Sequence, residues 1–464
     1  MTDSINRYFQ GVQNKKIAVI GIGVSNTPLI KMLAQSGANV TARDKKSIKE
    51  FDSEVLEALR ALGVELILGE QYMEGLSQYD IVFKTPGIRF DHPKLLEASR
   101  AGTEITSEME VFFELCPAKI FAVTGSDGKT TTTTLIYEML KAAGYCCHLG
   151  GNIGAPLLPR IKDISSDDMV VVELSSFQLH TMRKSPQVAV VTNVSPNHLD
   201  VHTSMEEYVQ AKKNVFLHQK AGDTLVINED NAHTQAFAKE AAGNVLRFSR
   251  KKFLKNGAFV KNESIFMAKD GLEEMVVACK EIKIPGVHNV ENYMAAACAV
   301  FGMVDMCVVA KVAREFGGVP HRIELVCEIG GVRYYNDSIA SSPTRTIAGL
   351  RAFSQKLLVI AGGYDKHIPF DMLGEELCRC AKTVFLIGKT AQAIKDAVEN
   401  APAYKEEAPR LVLCQSLEEA VKAAHERAKE GDVVTLSPAC ASFDMFTNFE
   451  ERGNHFKELV KGLE

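Results

Sequence analysis

Apolar residues fall along this chain in two rhythms. Short continuous runs at 119–123, 169–172 and 188–191 are bounded by polar or glycine-rich residues and predict strands of a parallel sheet buried on both faces. Between such runs the apolar positions recur three and four apart, as at Leu135, Met139 and Leu140, predicting a helix with one buried face. The chain opens the same way. A run from Lys16 enters Gly21-Ile22-Gly23 and a helix with Pro28 near its start; a second strand at 39–42 ends at Asp44, and another at 80–84 ends at Thr85-Pro86-Gly87. A strand at 225–228 and alternation over 257–267 around Asn262-Glu263 add a hairpin and an antiparallel extension. After Gly317-Gly318 the alternation becomes regular, with strands at 332–335, 356–360, 384–387, 411–413 and 433–436 and a helix at 417–429 between the last two. The reading is an α/β protein with domains at 1–107, 108–317 and 318–464.

A chain of 464 residues with 46% hydrophobic positions has material for two or three cores. A net charge of −5 without a Lys/Arg tract gives no footprint for nucleic acid or an anionic membrane surface, which points to small-molecule partners. Eleven cysteines without a Cys-x-x-Cys spacing are expected as reduced core thiols. The first ten residues include Asp3 and lack an apolar core, and the apolar stretch 294–304 is too short to cross a bilayer, so the expectation is a cytoplasmic protein. Without coiled-coil heptads, it is expected to be a monomer.

The most chemical stretch is Gly125-Ser126-Asp127-Gly128-Lys129-Thr130-Thr131, between the strand at 119–123 and the helix carrying Leu135. Its glycines turn backbone N–H groups toward an anion, the helix N-terminus adds its positive end, Lys129 adds a point charge, and Thr130 offers an oxygen to Mg²⁺. The loop is shorter than the full phosphate-loop spacing, because Val123 stands where its first glycine would. Glu173, at the exit of an apolar strand, is the best candidate for a hard metal ligand, with a helix-capping or ion-paired role as the alternative. His198 follows another strand; His198-x-Asp200-x-His202 also permits a transition-metal reading. Lys212 beside Lys213 reads, from residues alone, as an exposed pair. In the first domain Asn26 replaces the third glycine of the dinucleotide fingerprint, which weakens an NAD reading.

In their order along the chain, Gly125 to Thr131, Glu173-Leu-Ser-Ser-Phe-Gln, Asn193 to His198, Gly286-Val-His-Asn-Val-Glu-Asn292 and Pro320-His-Arg322 resemble the Mur ligases of bacterial peptidoglycan synthesis. The Gly-x-Gly-x-Ser start, residues 436–446 and Asn448-Phe449-Glu450-Glu451-Arg452-Gly453 resemble the D-glutamate-adding branch. The resemblance spans the whole chain. It implies a Rossmann-like uridine-nucleotide domain, a central phosphate-loop domain with a mostly parallel sheet, and a doubly wound Rossmann-like third domain.

It also implies a reaction: ATP phosphorylates the carboxylate of UDP-N-acetylmuramoyl-L-alanine, and the amine of D-glutamate attacks the acyl phosphate, releasing ADP and phosphate. Residues 125–131, with Asn292, Arg322 and Asp337, are implied to bind ATP. Thr130, Glu173, His198 and Lys212 are implied around two Mg²⁺ ions, Lys212 as a carbamate. Lys129, Glu173, His198 and Lys212 are the implied catalytic residues. The uridine substrate is assigned Asp44, Lys45, Thr85, Gly87 and Asn152, D-glutamate is assigned Lys366, Ser442 and Phe449, and Ser25 and Ser175 are further substrate-binding positions. Ile339 stands where many relatives carry a lysine and Ser341 where others carry threonine, so Lys366 is expected to take more of the acceptor's carboxylate binding. Competing readings are a ligase for another amino acid or folate, an NAD-dependent oxidoreductase, and a nucleotide-switched interaction module.

Overall fold

The computed structural model describes residues 2–23, 26–196, 202–365, 368–405 and 408–463. It divides into two compact units, Met1–Cys279 with Glu291–Val312, and Lys280–Val290 with Ala313–Glu464.

The first unit holds two sheets. Strands β1 (Lys16–Ile20), β2 (Asn39–Asp44), β3 (Glu65–Leu68), β4 (Ile81–Phe83) and β5 (Glu104–Thr106) form an all-parallel sheet in the order β3-β2-β1-β4-β5. Its central strand is apolar on both faces: Ile17 and Val19 pack into one core cluster, Ala18 and Ile20 into another. The second sheet comprises β6 (Lys119–Thr124), β7 (Cys147–Gly151), β8 (Met169–Glu173), β9 (Val188–Val191), β10 (Thr224–Asn228), β11 (Asn244–Ser249), β12 (Gly257–Lys261), β13 (Ser264–Lys269) and β14 (Leu272–Ala278). Its order is β14-β13-β12-β11-β10-β9-β6-β8-β7. Pairing is parallel from β7 to β12 and antiparallel through β13 and β14. The hairpin turns at Asn262 and Glu263, both at positive φ, as a two-residue turn between twisted strands requires.

The second unit carries β15 (Glu324–Ile329), β16 (Val332–Asn336), β17 (Leu357–Gly362), β18 (Ala381–Ile387), β19 (Arg410–Leu413) and β20 (Val433–Leu436), in the order β15-β16-β20-β17-β18-β19. All pairs are parallel except the edge pair β15 and β16. Alternate residues of β17 feed cores on opposite faces, Val359 and Ala361 on one, Leu358 and Ile360 on the other.

The fold is therefore α/β with three mostly parallel sheets, as the apolar runs predict. One expectation needs correcting. The cysteines are all free, but Cys146 and Cys307 are exposed, so they are not uniformly core thiols. The apolar stretch near Met294 belongs to the helix Val287–Val300, whose residues from Tyr293 onward are buried. Among the described residues no helix is long and apolar enough to cross a membrane.

Candidate active site

In the second sheet the carboxyl ends of β6, β8 and β9 lie side by side, the edge at which open α/β sheets bind ligands. The loop after β6 runs into the helix Lys129–Ala142, whose Leu135, Met139 and Leu140 are fully buried. Two glycines are required there. At Gly125 (φ +151°) a Cβ would overlap Thr192 Oγ1, and at Gly128 (φ +76°) it would overlap Asn292 Oδ1. Asn292, from a helix far along the chain, thus sits against the loop and accepts from Thr132 Oγ1 at 3.3 Å.

The loop is fastened to the exit of β9. Ser126 N donates to Asn193 O at 3.0 Å, Asp127 N to Asn193 Oδ1 at 3.0 Å, and Thr192 Oγ1 to Asp127 O at 2.6 Å. Ser126 Oγ lies 2.9 Å from both the N and O of Ser195 and 3.0 Å from Tyr208 Oη. Lys129 folds back on the loop, its Nζ 3.0 Å from Gly125 O and 2.9 Å from Ser126 O. Thr130 and Thr131 are buried in the first helical turn.

Glu173 ends β8 at 2% exposure. Its Oε1 accepts from Asn152 Nδ2 at 2.9 Å, while the buried Oε2 has no hydrogen-bond partner among the described residues. A buried carboxylate oxygen left so is costly unless a cation completes it. Asn152, assigned above to the uridine substrate, is held by Glu173 twice, since its N–H also donates to Glu173 O at 2.8 Å. Ser175 caps the short helix Ser176–Leu179 through a reciprocal bond with Gln178.

Lys212 overturns the exposed-pair reading, at 1% exposure on the helix Met205–Lys213. Its Nζ donates to Gly125 O at 2.8 Å and stands 4.4 Å over the Tyr208 ring. Burial, with the Lys129 ammonium nearby, holds its pKa well below that of an ordinary lysine. A tertiary position of this kind leaves no mark in the local pattern of a polar helix.

In the first sheet Asp44 turns inward to brace the Gly21-x-Gly23 turn: its Oδ2 accepts Ile22 N at 2.7 Å and its Oδ1 accepts Lys46 N at 3.0 Å. Lys45 is exposed, Thr85 packs near Gly21, and Gly87 is exposed. Asn26, the departure from the glycine fingerprint, donates Nδ2 to Ile20 O at 3.0 Å, capping the strand end.

In the second unit Asp337 follows β16. Its Oδ2 accepts Ser437 Oγ at 2.8 Å and its Oδ1 accepts Ile323 N at 3.3 Å. Burial pushes its pKa up to about 7, against the pull of these bonds and of Arg322. Arg322 sits between His321 (φ +63°) and Ile323 (φ +45°), two non-glycine residues in the left-handed region, a form of strain that gathers at functional sites. Ser442 is buried, its carbonyl accepting from Met445 and Phe446, and Phe449 opens the helix Phe449–Lys461 with its carbonyl taken by Ser338 Oγ at 2.8 Å. Ser25, His198 and Lys366 lie outside the described residues, as does most of the His198-x-Asp200-x-His202 motif. Its described member, His202, bonds Ser176 Oγ at 2.9 Å and stacks on Phe177.

The residues present fit a hard divalent cation: Thr130, an incompletely satisfied Glu173 carboxylate and a buried lysine share the sheet edge of the phosphate loop. The sequence reading gave no part to Asn193 and Thr192 in shaping that loop, or to Tyr208 beneath Lys212; the Gly125 contact to Thr192 is the signal, and it is three-dimensional.

Known families cover most of the chain: a Mur ligase MurD-like N-terminal domain matches residues 15–107, the Mur ligase middle domain 123–300, and the Mur ligase glutamate ligase domain 321–440. Two curated relatives, both UDP-N-acetylmuramoylalanine--D-glutamate ligases, align over 100% of both chains, that of Acetivibrio thermocellus at 57% identity and that of Clostridium kluyveri at 53%. Among solved structures, the UDP-N-acetylmuramate-alanine ligase MurC of Thermotoga maritima aligns with 97% of this chain and 100% of its own at TM-score 0.58 and 20% identity. A pseudomurein peptide ligase type C from Methanothermus fervidus does so over the same shares at 0.54 and 19%. These two structures show the fold.

Proposed function

The chain belongs to the Mur ligase family, and we propose that it is the ATP-dependent ligase that joins D-glutamate to the carboxylate of UDP-N-acetylmuramoyl-L-alanine in cytoplasmic peptidoglycan precursor synthesis. The observation that carries the reading is the half-satisfied Glu173 carboxylate on the same sheet edge as the phosphate loop and the buried Lys212. The identity to D-glutamate ligases over the full chain supports the choice of substrates. The protein acts as a monomer on small molecules, without nucleic acid or membrane, and divides its work among segments 1–107 for the uridine substrate, 108–317 for ATP and 318–464 for the amino acid.

A carboxylate resists amines because its oxygens are poor leaving groups. One substrate carboxylate oxygen attacks the γ-phosphorus of ATP, the bond to the β,γ-bridging oxygen breaks, and ADP departs. The amine nitrogen of D-glutamate then attacks the acyl carbon, the amine loses a proton, and phosphate leaves from the tetrahedral intermediate. Alignment and charge neutralisation lower both barriers. The backbone N–H groups of 125–131 hold the phosphates, and Lys129 Nζ exchanges its loop carbonyls for phosphate oxygens. Thr130, Glu173, His198 and Lys212 would hold Mg²⁺, which when bound would screen the phosphate charge. Asn292, Arg322 and Asp337 serve ATP. Asp44, Lys45, Thr85, Gly87 and Asn152 serve the uridine substrate, Asn152 also fixing Glu173; Lys366, Ser442 and Phe449 serve D-glutamate, and Ser25 and Ser175 are further substrate-binding positions.

Lys212 acts as a carbamate. Burial favours its neutral amine, the form that adds to CO₂ with loss of a proton, and the product would replace a cation that repels Mg²⁺ with an oxygen ligand. The carbamate N–H still donates to Gly125 O. The test is phosphate release from ATP with UDP-N-acetylmuramoyl-L-alanine, scanning D-glutamate, L-glutamate, lysine and diaminopimelate. Turnover with D-glutamate alone is expected; equal turnover with another of these would refute the assignment.

A further inference from the structure

The loop that follows β4 is tied to the helix that carries Lys212. Two residues beyond Thr85-Pro86-Gly87, Arg89 crosses from the first sheet's domain to the second's. Its Nη2 donates to Glu207 Oε1 at 2.8 Å and its Nη1 to Glu207 Oε2 at 3.4 Å. The same guanidinium is steadied from its own loop, by Asp91 Oδ1 and Oδ2, each at 2.9 Å. Glu207 lies in the first turn of Met205–Lys213, five residues before Lys212. It also accepts Thr203 N at 2.5 Å and Thr203 Oγ1 at 2.8 Å, so the carboxylate is fixed from the helix side as well.

A ring contact runs parallel to the ion pair. Phe90 lies 4.2 Å from the His180 ring, and His180 Nε2 meets Glu207 Oε1 at 3.1 Å. His180 stacks in turn on His202, which is bonded to Ser176, three residues past Glu173. Arg89 and Glu207 side chains are 28% and 16% exposed, and a forked pair that is partly desolvated holds its geometry better than an open surface pair. The bridge draws Glu207 well below the usual carboxylate range.

We propose that Arg89 is a positioning residue of the ligase reaction. By gripping Glu207 it sets the substrate loop at Thr85 to Gly87 against the helix that presents Lys212, so the uridine substrate's carboxylate meets the phosphate loop at a fixed distance. This rests on the ligase reading above. Arg89 touches no reacting atom; it acts through Glu207 and the helix. A bare domain staple would contribute to stability without touching kinetics, and the two roles separate cleanly.

The experiment compares Arg89→Met, Arg89→Lys, Glu207→Gln and the double variant Arg89→Met/Glu207→Gln in the full chain. Arg89→Met is expected to raise KM for UDP-N-acetylmuramoyl-L-alanine and lower kcat, each by about tenfold, the scale of an energy near 1.4 kcal/mol. Mg·ATP affinity measured without the uridine substrate stays within about twofold, because the phosphate loop is untouched. Arg89→Lys, which keeps the charge and loses the fork, recovers part of kcat and serves as the readout should Arg89→Met fold poorly. The double variant is no slower than the worse single. Wild-type kcat and KM in both Arg89 variants, whatever their Tm, would overturn the inference, as would effects of Arg89→Met and Glu207→Gln that simply multiply. A wild-type protein that releases no phosphate with both substrates would instead overturn the ligase reading itself.

Discussion

At the scale of single residues the site turns on groups whose ionisation burial has shifted. Asp337 illustrates the sign. Burial pushes its carboxyl up to about 7 in the folded unit, above the ordinary aspartate value of about 3.9, so between those values the native form keeps a proton that the unfolded chain releases. Stability from this group is full below about 3.9 and is lost as pH rises through 7, with a slope of up to about 1.4 kcal/mol per pH unit. Asp337→Asn is expected to flatten the pH dependence of Tm over that window and raise Tm above it, read by thermal unfolding across pH; an unaltered slope would show that Asp337 is ionised throughout. Lys212 supplies a second case. Lys212→Ala should lower kcat by roughly a hundredfold, and carbon dioxide-free buffer should depress wild-type turnover until bicarbonate is restored. Insensitivity to bicarbonate would remove the carbamate. Glu173 was legible in the sequence because an acid at the exit of an apolar run is conspicuous. Lys212 was not, because its burial comes from the loop packed over it and leaves the helix's own polar pattern unchanged.

At the scale of elements, the strands announced by unbroken apolar runs are those buried on both faces, and each has a neighbour on either side: β1, β6, β8, β9, β17 and β20. Several of those without such a signal are edge strands. β14 has its first four residues exposed, β7 contains Gly150 and Gly151, and β15 has no buried residue, so none has a pattern to read. The phosphate loop was legible from glycine spacing alone, but the reason for each glycine was not. Gly128→Ala forces a side chain to φ +76° against Asn292. It should cost about 1–3 kcal/mol of stability and weaken ATP binding by more than tenfold, measured by thermal shift and by nucleotide titration. ATP affinity equal to wild type would mean that the loop does not hold phosphate in this conformation.

At the scale of the whole molecule, three mostly parallel α/β sheets follow one another along the chain, and under the proposed function they serve a sugar nucleotide, a triphosphate and an amino acid. The order of the three sheets was legible because each is announced by its own strand-and-turn signature; the tie between the first two was not, since Arg89 and Glu207 stand 118 residues apart and neither belongs to a motif. Under the proposed function the phosphate loop activates a carboxylate rather than water. The most direct measurement uses UDP-N-acetylmuramoyl-L-alanine labelled with ¹⁸O in its carboxylate, with ATP and D-glutamate, and analyses the released phosphate by mass. One labelled oxygen in each phosphate, formed only when D-glutamate is joined, is the expected result; unlabelled phosphate would show that ATP is hydrolysed by water and would contradict the account.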